Sequence, residues 1–401
     1  MSRLYLAATH INSIAISTMK IATVIGYHGH RNFGDDIFLK ITCRWLRQSM
    51  GVGACFVSEK KGTVTRTLAG VNLIPFFNPY SRISRFMWLP ILLRTMKSDF
   101  MVFSAGSIFT IQPFSLMHST LWLLKLLRGH KLQIMAVGVS IGPFTSKRDE
   151  YWCARSLALM DYVLLRDNQS KQRVDAMHQD IHSILSYDLA LSWGDALPYP
   201  EKKEKLFVIG LAITVRGFGS CLEEHSRNCK VITRALASIL KQFNQLKLRI
   251  FSVCSDPVDG DQHISHHIRN QLSEWGDRIE TVVYDGDDID GMLESMGKCS
   301  LMIASRMHAG VVAMLASIPV YQISYAEKIR NFFVHSGLST IYLYDHSEVS
   351  ERTLSEFLHA GLAGELKAFA NKQKIVLAHK GEHVRESLLD LAEYSKAGIS
   401  Q

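Results

Sequence analysis

The chain has 401 residues, 47% of them hydrophobic and 20% charged, with a formal net charge of +8. That length exceeds what one core usually holds, and the balance excludes a disordered polymer. The positive charge favours anionic partners, but the basic residues are dispersed and never interleave with aromatics, which argues against nucleic acid.

Residues 1–18 carry Arg3 as their one strong charge and have no uninterrupted apolar run, so they fit a signal peptide poorly. Met19-Lys20 leads straight into the first strand, which makes 1–18 an extension and Met19 an alternative start. The seven cysteines form no Cys-x-x-Cys pair and no zinc spacing, so they read as small buried residues in a reducing compartment, with no metal expected. No stretch reaches the ~20 apolar residues that span a bilayer.

From Lys20 onward, short apolar runs alternate with helical patterns, the signature of parallel strands covered by helices on both faces. Strands are predicted at Ile21–Ile25, Phe100–Phe103, Gln133–Val137, Tyr162–Leu165 and Ser183–Leu185, with helices at Phe38–Arg47, Thr120–Leu127 and Tyr151–Leu159. Trp193–Lys205, with Gly194, Pro198 and Pro200, reads as a linker. A second series follows, with strands Phe207–Leu211, Leu248–Val253, Thr281–Tyr284, Leu301–Ala304 and Val320–Ile323. Its helices are Val231–Phe243, Met292–Cys299 and Gly310–Ser317, and the chain beyond about residue 350 is helical and charged. The expected organisation is a Rossmann-like domain over 19–195, a second over 206–345, and C-terminal helices over 346–401. Two stretches, Phe86–Leu93 and Phe114–Leu127, read either as helices packed on the sheet or as interfacial helices, the second with Trp122 beside Lys125, Arg128 and Lys131.

Ligands of open α/β sheets bind outside the carboxyl ends of strands, so reactive residues are sought there. The richest such end is Ser305-Arg306-Met307-His308, which opens a helix containing Ala309, Gly310, Ala313 and Ala316. The next strand ends at Ser324-Tyr325-Ala326-Glu327-Lys328. A right-handed βαβ unit would bring both ends to one edge, giving an anion clamp in Arg306, a proton carrier in His308 and a second cation in Lys328. Taken singly, His308 reads equally as a helix cap and Lys328 as a surface charge.

The loop Gly26–Asp36 follows the first strand, with glycines 26, 29 and 34 permitting close backbone approach and Asn32 placed to cap a helix. Asp35-Asp36 reads as contacts to acceptor hydroxyls or as compensation of the helix dipole. Ser104-Ala105-Gly106-Ser107 and Gly138–Pro143, including Gly142, offer backbone N–H groups to phosphate or sugar oxygens. Arg166, at the end of Tyr162–Leu165, either grips a carboxylate or pairs with Asp167. His263, His266 and His267 read as solvent-facing, and Asp285–Asp288 lacks spaced partners for a metal.

Four segments in this order resemble the polysaccharide pyruvyl transferase family: Gly26–Asp36, Gly138–Pro143, Arg166–Ser170, and Ser305–His308 with Ile318-Pro319-Val320 and Ser324-Tyr325 through Lys328. The resemblance covers about Lys20 to Phe333, more weakly over Glu201–Lys298, where Val215-Arg216 and the strand pattern carry it. It implies two Rossmann-like domains facing a cleft, similar to the GT-B glycosyltransferases. It also implies transfer of pyruvate from phosphoenolpyruvate, as a ketal across two hydroxyls of a sugar, with release of phosphate and no cofactor beyond that donor. The acceptor would be a sugar of a polysaccharide or a lipid-linked oligosaccharide, and the location cytoplasmic, with the apolar runs permitting contact with the inner face of the plasma membrane.

By the same resemblance His308, Arg166 and Lys328 are the catalytic residues. Ser305, Arg306, Tyr325, Asn32, Gly34, Asp35, Gly106, Ser107 and Gly142 are expected to bind substrate. Three departures bear on acceptor choice: Ser104–Ser107 replaces a run of glycines, Thr110-Ile111-Gln112 lacks an expected acid, and Gly34-Asp35-Asp36 replaces Gly-Asp-Glu. Two other readings use the same cleft, a GT-B glycosyltransferase with a nucleotide-sugar donor and a non-catalytic glycan-binding or assembly protein.

Overall fold

The structure is a computed structural model that describes residues 19–59, 68, 71–75, 84–110, 114–193, 206–215, 222–257 and 260–399. The expectations for residues 1–18, for most of the linker, and for Ile111, Gln112 and Arg216 lie outside the described residues.

Seven parallel strands form the first sheet: β1 Lys20–His28, β2 Val52–Glu59, β3 Val71–Pro75, β4 Phe100–Phe103, β5 Gln133–Val139, β6 Tyr162–Leu165 and β7 Ser183–Leu185. Their order is β3-β2-β1-β4-β5-β6-β7. Six more form the second: β8 Phe207–Ala212, β9 Leu246–Ser252, β10 Ile279–Val283, β11 Leu301–Ala304, β12 Val320–Ser324 and β13 Leu343–Asp345. Their order is β10-β9-β8-β11-β12-β13. Each sheet therefore reverses its winding once, between β1 and β4 and between β8 and β11, and such a reversal opens a crevice at the strand ends.

The central strands are buried on both faces because helices cover both sides, which is why β4, β5, β8 and β11 read as continuous apolar runs. Helix Phe33–Gln48 begins earlier than its apolar pattern suggests. Asn32 Oδ1 accepts from Gly34 N at 3.3 Å and caps it, with Asp35 and Asp36 in the positive first turn.

The last helix, Lys367–Ile399, returns to the first sheet. Trp45 Nε1 donates to Leu388 O at 2.7 Å, and Gln133 Nε2 donates to Ser395 O at 2.8 Å. Buried side chains of both sheets accordingly share one apolar cluster that runs through Phe38, Leu189, Met314 and Leu391.

The six described cysteines are buried and form no disulfide with one another, His263, His266 and His267 are exposed, and among the described residues no helix is long and apolar enough to cross a membrane.

Candidate active site

A cleft of about 580 Å³ lies between the carboxyl ends of the two sheets, within the usual range for small-molecule sites. The loop after β1 forms part of its wall and ties the sheets together. Gly29 and Arg31 take positive φ (75° and 53°), turning the chain so that Asn32 bridges Cys254. Phe33 N then donates to Val253 O, and Ser255 N to Arg31 O, both at 3.0 Å. Asn32 Nδ2 donates to Asp35 Oδ2 at 2.7 Å, fixing the Asp35 carboxylate at the cleft. Burial raises the Asp35 pKa, and the positive groups His308, Lys328, His30 and Arg166 offset only part of that rise.

Arg166 and Asp188 form the floor. Arg166 follows β6 and is buried, its Nε donating to Ser140 Oγ at 2.7 Å and its Nη1 to Asp188 Oδ2 at 3.0 Å. Ser140 in turn donates to Asp167 at 2.6 Å, while Asp167 caps helix Asn168–Ala176 through Ser170 N. The arginine's ion-pair partner is thus Asp188, and Asp167 serves the helix. Gly106 is required here because a Cβ at that position would overlap the Arg166 guanidinium.

His308 lies in the first turn of helix Met307–Leu315, against Gly34, where a Cβ would overlap its Nδ1. The edge of its ring meets Phe38 with centroids 5.5 Å apart. Its Nε2 stands 3.7 Å from Asp188 Oδ1 and has no hydrogen-bond partner. His308 is not itself among the residues lining the cleft; it stands directly behind Asp188, which is. Burial opposes ionisation of Asp188, but His308 and Arg166 outweigh it and hold the carboxyl below its ordinary range.

β11 and β12 are adjacent and parallel, so the turns after them share one edge, as the βαβ expectation requires. Gly310 packs against Gln322, where a Cβ would overlap the end of the glutamine side chain. Lys328 and Tyr325 line the cleft opposite Arg166. Asn32, Asp35, Ser107 and Gly142 line it from the first sheet, while Gly34 and Gly106 stand behind it as positions of close approach.

Two expected contacts take other roles. Ser305 is fully buried and its Oγ accepts from Thr214 N at 2.8 Å, so it joins the ends of β8 and β11 and does not reach the cleft. Arg306 lines the cleft, but its Nε and Nη2 donate to buried Asp261 at 2.5–3.1 Å. Burial opposes the Arg306 charge and Asp261 restores it, so this cation arrives already neutralised.

Sequence reasoning passed over Asp188, Arg173 and Asp256, all of which line the cleft. Asp188 lies three residues beyond β7 and Asp256 shortly after β9, so the strand-end rule that picked out Arg166 also reaches them. Arg173 lies two helical turns beyond Arg166, and its Nη1 donates to Ile141 O at 2.8 Å.

Behind this wall lies a buried polar layer. Asp36 accepts from Tyr284 OH at 2.8 Å across the two sheets, and burial pushes its pKa well up. His28 is fully buried, neither of its ring nitrogens has a hydrogen-bond partner, and burial lowers its pKa to about 3.

The family model for Polysaccharide pyruvyl transferase matches residues 32–327, which span the cleft-lining turns from Asn32 to Glu327. The chain belongs to the polysaccharide pyruvyl transferase family. Membership supports a transferase of polysaccharide biosynthesis. No curated protein matches the chain.

Among solved structures, the S. aureus MnaA–UDP co-structure is 13% identical with a TM-score of 0.60, covering 96% of this chain and 98% of its own. A UDP-N-acetylglucosamine 2-epimerase is 12% identical with a TM-score of 0.63, covering 94% and 96%. Anabaena Alr3699/HepE in complex with UDP and glucose is 11% identical with a TM-score of 0.58, covering 94% and 99%. At these identities the likeness shows the fold, which is that of the GT-B glycosyltransferases and epimerases. This pyruvyl transferase family member therefore carries its motifs on a GT-B-like frame.

Proposed function

We propose that the cleft takes phosphoenolpyruvate as donor and a glycan sugar as acceptor, and joins them as a pyruvate ketal with release of phosphate. The observation that carries this reading is the convergence of Arg166, Lys328, Asp35 and Asp188 on one cleft, with His308 directly behind Asp188. The donor bears a carboxylate and a phosphate, and Lys328 and Arg173 face it, with Arg166 at the floor already paired with Asp188. Arg306 contributes less to that role than its position suggests, because Asp261 holds it.

In this reading the donor's methylene carbon takes a proton that comes from His308 by way of the Asp188 carboxylate between them, so that it becomes a methyl group and leaves positive charge at the neighbouring carbon. An acceptor hydroxyl adds there, passing its proton to Asp35, which burial makes a stronger base than an exposed carboxylate. The bond from that carbon to the phosphate oxygen then breaks, and phosphate departs toward the cations. A second hydroxyl closes the ketal, and its proton leaves with phosphate or solvent. Asp188 orients the imidazole and steadies its protonated form.

The test is phosphate release from phosphoenolpyruvate over a panel of glycolipid and oligosaccharide acceptors, comparing the natural chain with His308→Ala. A loss of about 10²–10⁴-fold is expected, the usual worth of a positioned acid. Release at the natural rate by the variant removes His308 from this role. Release of UDP or GDP from a nucleotide sugar, with none of phosphate from phosphoenolpyruvate, would make the protein a nucleotide-sugar transferase instead.

A further inference from the structure

Helices Ser84–Thr95 and Phe114–Arg128 pack beside one another on the outer face of the first sheet. The second buries Phe114, Met117, Leu121 and Leu124 against the sheet, which would satisfy an ordinary amphipathic helix. Its opposite face is apolar as well: Trp122, Leu126 and Leu127 are 53%, 65% and 55% exposed. On the neighbouring helix Leu89 and Leu93, one turn apart, are 54% and 59% exposed. Isolated surface leucines need no explanation, but five large apolar side chains on two adjoining helices do.

At the end of this face where the two helices meet, the exposed charges described are cationic. Arg128 Nη2 donates to Ser98 O at 3.0 Å, which brings the ends of the two helices together and sets exposed Lys97 near exposed Lys131. Lys125 is held by Asp161, which removes the nearest acid from play. An apolar stripe with a tryptophan, bordered at one end by exposed Lys97 and Lys131, matches an anionic lipid surface in both shape and charge.

We propose that this two-helix face docks on an anionic bilayer, with Leu89, Leu93, Trp122 and Leu126 entering the acyl boundary and Lys97, Arg128 and Lys131 meeting the phosphates. The inference does not depend on the identity of the donor. It also places the cleft usefully. The first turn of the second helix abuts the cleft rim, where Phe114 meets Phe144 with centroids 5.9 Å apart and Gly142 and Pro143 line the cavity. Trp122 lies eight residues along, roughly 12 Å at 1.5 Å per residue. A sugar carried on a membrane lipid would be presented at that rim.

The experiment is co-sedimentation of the full chain with vesicles of phosphatidylcholine alone or mixed with phosphatidylglycerol, at low and high salt. The natural chain is expected on the mixed vesicles and is expected to leave them as salt rises. The pair Trp122→Glu and Leu126→Glu should lower partitioning about tenfold or more. Both sites are exposed, and an unchanged circular dichroism spectrum confirms that the fold is kept. Lys97→Glu with Lys131→Glu should abolish the preference for phosphatidylglycerol, whereas Ile375→Glu, on the exposed side of the last helix, should change nothing.

The proposal falls if the natural chain stays in solution with mixed vesicles, or if the Trp122 and Leu126 pair binds as the natural chain does. A natural dimer that this pair converts to monomer without affecting sedimentation would assign the face to a second copy and overturn it too.

Discussion

Arg166 Nη1 donates to Asp188 Oδ2 at 3.0 Å, with both side chains buried at the ends of β6 and β7. The second oxygen of the same carboxylate lies 3.7 Å from His308 Nε2, so one buried charge stands between a guanidinium from the first sheet and an imidazole from the second. Removing that charge leaves Arg166 short of a partner and frees the imidazole ring. Asp188→Asn, which keeps the shape, is expected to lower kcat/KM for phosphate release about 10²-fold or more, with most of the loss in kcat. Arg166→Lys, which cannot reach Ser140 and Asp188 at once, is expected to cost a similar factor. Because the two residues act as a unit, the double variant should lose much less than the product of the single losses. Steady-state kinetics of the four proteins decide the matter. Strictly multiplicative losses would show that the pair does not work together.

The two glycines behind the cleft permit a test that leaves charge untouched. A Cβ at Gly106 would overlap the Arg166 guanidinium, and one at Gly34 would overlap the His308 ring. In both cases the neighbour is the far end of a movable side chain, so the backbone can stay in place while the functional group is displaced. Gly106→Ala and Gly34→Ala are therefore expected to reduce activity about 10²-fold, as misplacement by an ångström does, while shifting the urea midpoint little. Thermal or urea unfolding beside the activity assay separates the outcomes. Folded variants with natural activity would place neither side chain in the chemistry.

How much of this was legible before the structure depends on what each residue needs for its role. β1 and β4 to β6 stand in the run of residues because strands covered on both faces are apolar throughout. β2 and β3 do not, since β2 holds Gly53 and Ala54 and β3 is an edge strand with Asn72 and Leu73 exposed. β13, where only Leu343 of three residues is buried and Asp345 ends the run, leaves little apolar pattern to read. Arg166, His308, Lys328 and Asp35 stand out in the sequence because each sits at a strand end beside residues that open a helix; three of them line the cleft and His308 stands behind it. Asp188 also follows a strand, but its pairing with Arg166 and His308 is set by distant chain: the last helix holds its segment through Ser387 against Ser186 and Lys380 against Tyr187. The pairing of Arg306 with Asp261 likewise spans 45 residues and joins two loops that no local pattern connects.

The buried layer behind the cleft gives a prediction about acid. His28 is fully enclosed at the end of β1, close to the Ser104 carbonyl, and its ring nitrogens have no hydrogen-bond partners. Burial lowers its pKa to about 3 from the ordinary 6.5, so it is neutral in the folded chain at pH 7. In the unfolded chain it titrates normally, so between those two values the unfolded state binds more protons than the folded one. Stability from this group is therefore complete above about pH 6.5, and falls as pH drops from 6.5 toward 3. Between pH 7 and pH 4.5 the loss attributable to His28 should be about 2–3 kcal/mol. His28→Leu, which cannot titrate, should flatten that part of the profile even if its stability at pH 7 is lower. Urea unfolding of both proteins at several pH values measures the difference in slope directly. Parallel profiles for the natural chain and the variant would mean that the imidazole picks up its proton without unfolding, and that the layer behind the cleft is open to water.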